Sequence, residues 1–310
     1  MMKSSIFLLL GVVLALSIQA QSTKKMAITI DDLPMVVLEQ NDSLRMKMNR
    51  DIIAHLSEYD VPAIGFVNEQ KLYDDDGQLV PIRKQMLVEW LEAGMELGNH
   101  TYSHPDYNSL EPEEFFEEII KGEELTRPLL SEYDMELKYF RHPFLHRGNT
   151  KAKVDTLVSF LSENGYIEAP VTIDNSEWIF ARAYELAVRR NQRAMANRIG
   201  NSYISYMLEK TAYFEKNAQQ LFDRPINQIL LLHDNFINAD YLGKLLEAYA
   251  ESGYEFVSLD EALEDPAYRS EDNTAIRAGI TWLHRWAITK GIDQSFFSGE
   301  PACPRYVQEY

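Results

Sequence analysis

Seven short apolar runs, each separated from the next by a longer stretch of mixed character, constrain this chain more than any other feature. They lie at residues 26–30, 63–67, 95–99, 138–141, 168–173, 228–232 and 254–259. Runs of this length, too short for helices and rich in Ile, Val and Phe, read as buried strands. The intervening residues 43–59, 81–93, 113–130, 151–164 and 239–252 read as helices. Pro81 stands near the start of one, and Gly94, Gly165 and Gly253 follow the ends of three. Strands alternating with helices pair in parallel and bury the sheet beneath the helices. Seven such units predict an α/β fold that closes as a barrel. With 45% apolar residues among 310, the chain has ample material for that core.

Two segments depart from the rhythm. Residues 175–227 separate the fifth and sixth strands. Apolar positions such as Tyr184, Ala187, Ile199, Tyr203 and Met207 recur there at helical spacing. They predict a helical insertion over 178–224, a hairpin that walls or caps one end of the barrel, with a helix pair that merely covers the sheet as the alternative. The tail, 266–310, shows little strand pattern but holds Trp282, His284, Arg285 and Trp286, and is expected to pack on the barrel. The first twenty residues read as a cleaved signal peptide. Lys3 precedes an eleven-residue apolar run, 6–16, and small residues ending at Ala20 precede Gln21. Eleven residues fall short of the roughly 20 that span a bilayer. The domains expected are therefore 1–20 as signal, 21–265 as barrel with its insertion, and 266–310 as tail. A secreted or periplasmic location follows from the signal.

Composition excludes several roles. Lys and Arg number 30 against 48 Asp and Glu, a net charge of −18 that repels phosphate backbones and anionic lipid. Neither nucleic acid nor a membrane surface is an expected partner. Cys303 is the sole cysteine, so no internal disulfide and no thiolate zinc site can form. A metal here must be held by imidazole and carboxylate.

Polar residues of that kind gather at strand ends. Asp31 and Asp32 follow the first strand, and His100 and His104 the third. Arg141 closes the fourth, Asp174 the fifth, and His233 with Asp234 the sixth. The carboxyl ends of barrel strands are where active sites lie. His100 and His104, four apart, can face one way if the segment makes a helical turn. With one carboxylate they form an open three-ligand set, the catalytic rather than the structural kind. A second, adjacent carboxylate could then serve as base and a separate His as acid. Asp74 to Asp76 lack the ligand alternation of a calcium loop and read as a solvated turn. His55 reads as a surface residue, and His142 and His146 as local structure, with a place lining the groove as the alternative for either.

These residues resemble the NodB-homology polysaccharide deacetylases, carbohydrate esterase family four. That family's five motifs appear in order. Thr29-Ile30-Asp31-Asp32-Leu33-Pro34 is similar to Thr-Phe-Asp-Asp-Gly-Pro, and His100-Thr101-Tyr102-Ser103-His104 to His-Ser/Thr-x-x-His. Arg141-His142-Pro143-Phe144 matches Arg-x-Pro-Tyr/Phe. Asp174-Asn175-Ser176-Glu177-Trp178 resembles Asp-x-x-Asp-Trp, and Leu231-Leu232-His233 matches Leu-x-His. The resemblance spans about residues 24–262 and implies a distorted (β/α)7 barrel. It also implies a role for each residue. Asp31 is then the base. Asp32, His100 and His104 hold a divalent metal, zinc by the family's habit with cobalt as the alternative. Arg141 tunes the catalytic groups, the Phe144 N–H helps bind the oxyanion, and His233 is the acid. Trp178 walls the acetyl methyl, and Asp174 and Glu177 belong to the substrate side.

Two departures stand out. Leu33 replaces a Gly, and Glu177 replaces an Asp that in the family supports the catalytic His or Arg network. Together with the Trp-rich tail, the Asp-Asp-Leu-Pro motif points to a subgroup. The expected function is removal of N-acetyl or O-acetyl groups from a polysaccharide or amino sugar. Two alternatives stay open: an amidohydrolase on a small C–N substrate, and an inactive carbohydrate-binding relative.

Overall fold

The computed structural model describes residues 24–310, so the expected signal at 1–20 lies outside the described residues. In chain order the elements are β1 (Lys24–Leu33), α1 (Asp42–Glu58), β2 (Ile64–Val67), α2 (Pro81–Glu92), β3 (Glu96–Asn99), α3 (Pro112–Lys121), α4 (Thr126–Ser131) and β4 (Tyr139–Phe140). They continue with α5 (Lys151–Glu163), β5 (Ile167–Glu168), α6 (Glu177–Arg189), α7 (Arg193–Phe222), β6 (Gln228–His233), α8 (Phe236–Glu251) and β7 (Tyr254–Phe256). Three short helices, α9 (Leu259–Leu263), α10 (Trp282–Thr289) and α11 (Arg305–Gln308), complete the chain. Every strand pairing is parallel, in the order β5-β4-β3-β2-β1-β6, with β7 alongside the start of β1.

The sheet curls, and the expected fifth strand explains how. Only Ile167 and Glu168 pair with β4, and Ala169 donates its N–H to the Phe140 carbonyl. The chain then crosses to the opposite edge, where Thr172 and Ile173 donate to Ile229 of β6. One segment therefore touches both margins of the sheet and curls it into the distorted, half-barrel form of the barrel expected. The tail secures it from outside, with the Trp282 N–H on the Val171 carbonyl at 2.8 Å.

Side chains along β1 alternate as a pleated strand requires. Met26, Ile28 and Ile30 face the helices and join the main core, whereas Ala27 packs with Ile64, Phe66, Tyr139 and Ile229 on the inner face. The interior is narrow. A Cβ on Gly98 would lie 2.4 Å from the Phe66 ring, so that position must be bare. Pairing of β1 with β2 is regular through Ile30 and Gly65, then slips so that Leu33 meets Val67. The slip falls on Asp31 and Asp32.

The insertion differs from the expected cap. Its helices α6 and α7 pack on each other and on α8, with α10 and α11 beside them. Ile199, Tyr203, Met207 and Phe214 are buried in that contact, so the apolar stripe of α7 is spent on the flank of the barrel. The expected helix over 113–130 is two helices, α3 and α4, broken at Gly122.

Candidate active site

A cavity of about 520 Å³ opens at the carboxyl ends of the strands. Its wall includes Asp31, Asp32, His100, His104, Phe144, Asp174, Trp178 and His233, eight of the ten residues singled out from the sequence. Arg141 and Glu177, the other two, are fully buried behind it.

The register slip in β1 separates the two adjacent carboxylates. Asp32 takes a left-handed backbone, φ 71°, so its side chain leaves the strand in a different direction from that of Asp31. Leu33 itself needs no positive φ, which is why the turn tolerates a side chain where the family motif has Gly. Room for that side chain comes from the next strand: a Cβ on Gly65 would stand 2.4 Å from a Leu33 methyl.

Asp32, His100 and His104 present ligand atoms that all lie within 4.8 Å of one another. The two histidines do not share a helical turn as the spacing suggested. They flank a loop in which Thr101 and His104 are left-handed, φ 70° and 61°. Side chains supply the bonds that a helix would have made. Asn99 accepts from the Thr101 N–H at 2.7 Å, and the Thr101 hydroxyl accepts from the His104 N–H at 3.0 Å. The His100 Nδ1–H donates to the Arg141 carbonyl at 2.8 Å, which leaves Nε2 unprotonated for a metal. Burial alone would raise the Asp32 carboxyl. Lys71 and then the nearby imidazoles outweigh burial and hold it well below the usual range.

Asp31 sits deeper. Its Oδ2 is 3.6 Å from Arg141 Nη1 and 3.8 Å from His100 Nε2, while Oδ1 accepts no hydrogen bond from the protein. Burial pushes its carboxyl up to about 6, against the pull of Arg141. Arg141 is fixed in turn by donating from Nη2 to the Thr29 hydroxyl at 2.9 Å.

Beside Asp31, and paired with it in register, lies His233 at the end of β6. Its Nδ1–H donates to Glu177 Oε2 at 2.9 Å, which turns Nε2 to the cavity. Burial would depress this imidazole, but the Glu177 carboxylate overcomes it and His233 is pushed up to about 9. Glu177 is therefore misplaced on the substrate side: it opens α6 pointing inward and holds the imidazole from behind. Its other oxygen accepts from the amides of Asn235 and Asn238, both at 2.5 Å. Phe144 and Trp178 are more than half exposed on the rim, and the Phe144 ring meets His104 edge-on at 4.4 Å.

Several contributors escaped the sequence reading. Thr29, Lys71, Asn235 and Asn238 act on other side chains and Asn99 on the Thr101 backbone, and nothing in their spacing marks them. His142, read as local structure, lines the cavity and donates from Nε2 to Glu168 at 2.8 Å. After Asp174 at the strand end, Asn175, Ser176 and Trp178 at the start of the insertion reach the wall, and none of α7 does.

Residues 19–159 match the family model described as Polysaccharide deacetylase. The match takes in Asp31, Asp32, His100, His104 and Arg141 and supports that family for the chain. A search of curated proteins found no match. Solved structures share the fold. A mutant of a CE4 family pseudoenzyme with restored enzymatic activity aligns at TM-score 0.51 and 17% identity, over 78% of this chain and 68% of that one. Another mutant of the pseudoenzyme, which comes from Bacillus anthracis, aligns at TM-score 0.52 and 16% identity over the same shares. A family 4 carbohydrate esterase from Streptomyces lividans, in complex with acetate, aligns at TM-score 0.48 and 18% identity, over 77% of this chain and 95% of that one.

Proposed function

We propose that this chain is a metal-dependent deacetylase that hydrolyses N-acetyl or O-acetyl groups of a polysaccharide or amino sugar. The observation that carries the reading is the convergence, in one cavity, of a His-His-Asp donor set with a separate carboxylate and a separate imidazole. The donor set suits zinc: two imidazoles and one carboxylate, with the far nitrogen of His100 tied to a carbonyl. A divalent cation held by Asp32, His100 and His104 would lower the pKa of a water and polarise the acyl carbonyl.

The protein's own groups divide the remaining work. Asp31, with one oxygen unengaged and a carboxyl that ionises near pH 6, accepts the proton of the attacking water. Arg141 keeps that carboxylate charged in a buried place. His233 is held protonated by Glu177 and delivers its Nε2 proton to the departing nitrogen or oxygen. Exposed Trp178 and Phe144 offer flat apolar faces on the cavity wall, which suits a sugar ring. The insertion leaves the cavity open, and that favours a carbohydrate chain over a small enclosed amide. Export after cleavage before Gln21 and membership of an Asp-Asp-Leu-Pro subgroup belong to the same reading.

The test is acetate release by zinc-loaded protein from chitooligosaccharides, peptidoglycan fragments, acetylated xylan and small amides. Release from a carbohydrate that stops on chelation and returns with Zn²⁺ is expected. Turnover unaffected by chelation, or confined to small amides, would overturn the assignment.

A further inference from the structure

The insertion neither lines nor covers the cavity beyond its first residues, yet one of its side chains reaches the machinery through the protein interior. Tyr203, on the buried face of α7, donates its hydroxyl to Asn238 Oδ1 at 2.7 Å. Asn238 passes its amide to Glu177 Oε1 at 2.5 Å and to the His233 carbonyl at 2.9 Å. Asn235 reaches the same Glu177 oxygen, and Glu177 Oε2 takes the His233 Nδ1–H. Tyr203, Asn235, Asn238 and Glu177 are each at most 1% exposed.

The direction of this chain is forced. An ionised carboxylate only accepts, so each Asn must turn its NH₂ toward Glu177. The Asn238 oxygen then faces α7 and needs a donor, which among the described residues only the hydroxyl of Tyr203 supplies. Burial, and next the Glu177 charge, raise that phenol well above its usual range, so it stays a donor. The longer reach of Glu where the motif has Asp is matched by two amides that stop the carboxylate at the right distance from the imidazole.

We infer that Tyr203, Asn235 and Asn238 are positioning residues that fix Glu177, and through it the proton-donating orientation of His233, so that the insertion serves as a buttress for the catalytic acid. This rests on the deacetylase reading for its kinetic consequence, though the hydrogen-bond relay can be observed without turnover.

The experiment uses full-length zinc-loaded protein and two substrates. A chitooligosaccharide has a poor amine leaving group that needs the acid, whereas 4-nitrophenyl acetate has a good one that does not. Tyr203→Phe should lower kcat on the oligosaccharide about tenfold, with KM and zinc content unchanged, and change the nitrophenyl ester by less than about twofold. In a His233→Ala background Tyr203→Phe should cost nothing further. Glu177→Asp should resemble Glu177→Gln rather than wild type, because the shorter carboxylate cannot hold both the amides and the imidazole. In parallel, proton NMR should show a downfield His233 Nδ1 proton that shifts in Tyr203→Phe and vanishes in Glu177→Gln. Equal losses on both substrates, an undiminished effect without His233, or a proton indifferent to Tyr203 would overturn the relay. Should wild type release no acetate from either substrate, the functional reading falls, and the NMR result alone decides whether the relay stands.

Discussion

Replacing Gly122 by Ala should weaken both the fold and the metal site, although Gly122 touches no ligand. Gly122 ends α3 with φ −75°, a conformation open to any residue. At such a place Ala ordinarily gains up to about 1 kcal/mol over Gly. Here a Cβ would stand 2.6 Å from the Thr101 carbonyl carbon and 2.7 Å from the Tyr102 nitrogen, whereas ordinary contact begins near 3.4 Å. Both partners are backbone, so no rotamer change relieves the clash. The loop would have to retreat by about 0.8 Å, more than the roughly 0.5 Å a functional constellation tolerates. It is also tied to α3, since Tyr102 donates to the Glu118 carbonyl at 2.9 Å and Ser103 donates to the Glu118 carboxylate. His100 and His104 sit at the two ends of the segment that must move. The expected cost is about 1–3 kcal/mol of stability, by overpacking, and about 10–100-fold in zinc affinity. Urea unfolding of metal-free protein and competition against a chromophoric chelator measure the two. A variant as stable as wild type with unchanged zinc affinity would refute the argument.

Other expectations follow from the site and its surroundings. Asp31→Asn should retain zinc and lose about 10²–10⁴ in rate, whereas Asp32→Asn should lose zinc; metal analysis and acetate release separate them, and the reverse pattern would exchange the two roles. Restoring the family's residue by Leu33→Gly should destabilise the protein by about 3–5 kcal/mol, because it empties the space that Gly65 leaves beside Leu33; a neutral effect on urea unfolding would contradict this. Burial pushes Asp234, whose carboxylate accepts from the Met35 N–H, up to about 7 from its ordinary 3.8. The stability it contributes is therefore complete below about pH 4 and is lost as pH rises through about 7. Metal-free Asp234→Asn should gain on wild type between pH 5 and pH 8 in urea unfolding, and a constant difference across that range would exclude the effect.

Most of the fold was legible because buried strands and amphipathic helices write their periods into the sequence. The fifth strand was legible as apolar but not as split: Ala169, Val171 and Ile173 are buried whether they pair with one neighbour or lie across a seam. The candidate site was legible in its residues and less so in its geometry. Spacing of four between His100 and His104 fits a helical turn, but Asn99 and Thr101 took the backbone donors and bent the segment into a loop. Glu177 sits one residue from Trp178, and the sequence offers no sign that one faces the cavity and the other faces inward. That choice is made by Asn235 and Asn238, some sixty positions away. The insertion showed its helical period, yet a stripe of apolar side chains does not say which surface it will cover.

The seam at residues 169–173 also sets an order in time. A chain that folds as it is made lays down β1 to β4 first, and with them Asp31, Asp32, His100, His104 and Arg141. The opposite margin, β6 with His233, exists only after the long helices of the insertion have been added, and the contact from Trp282 comes later still. The half that would hold a cation is thus complete in outline well before the half that would donate a proton. On the function proposed above, a chain cut before β6 would carry the donor set without the acid, and hydrolysis would await the margin that the tail fastens.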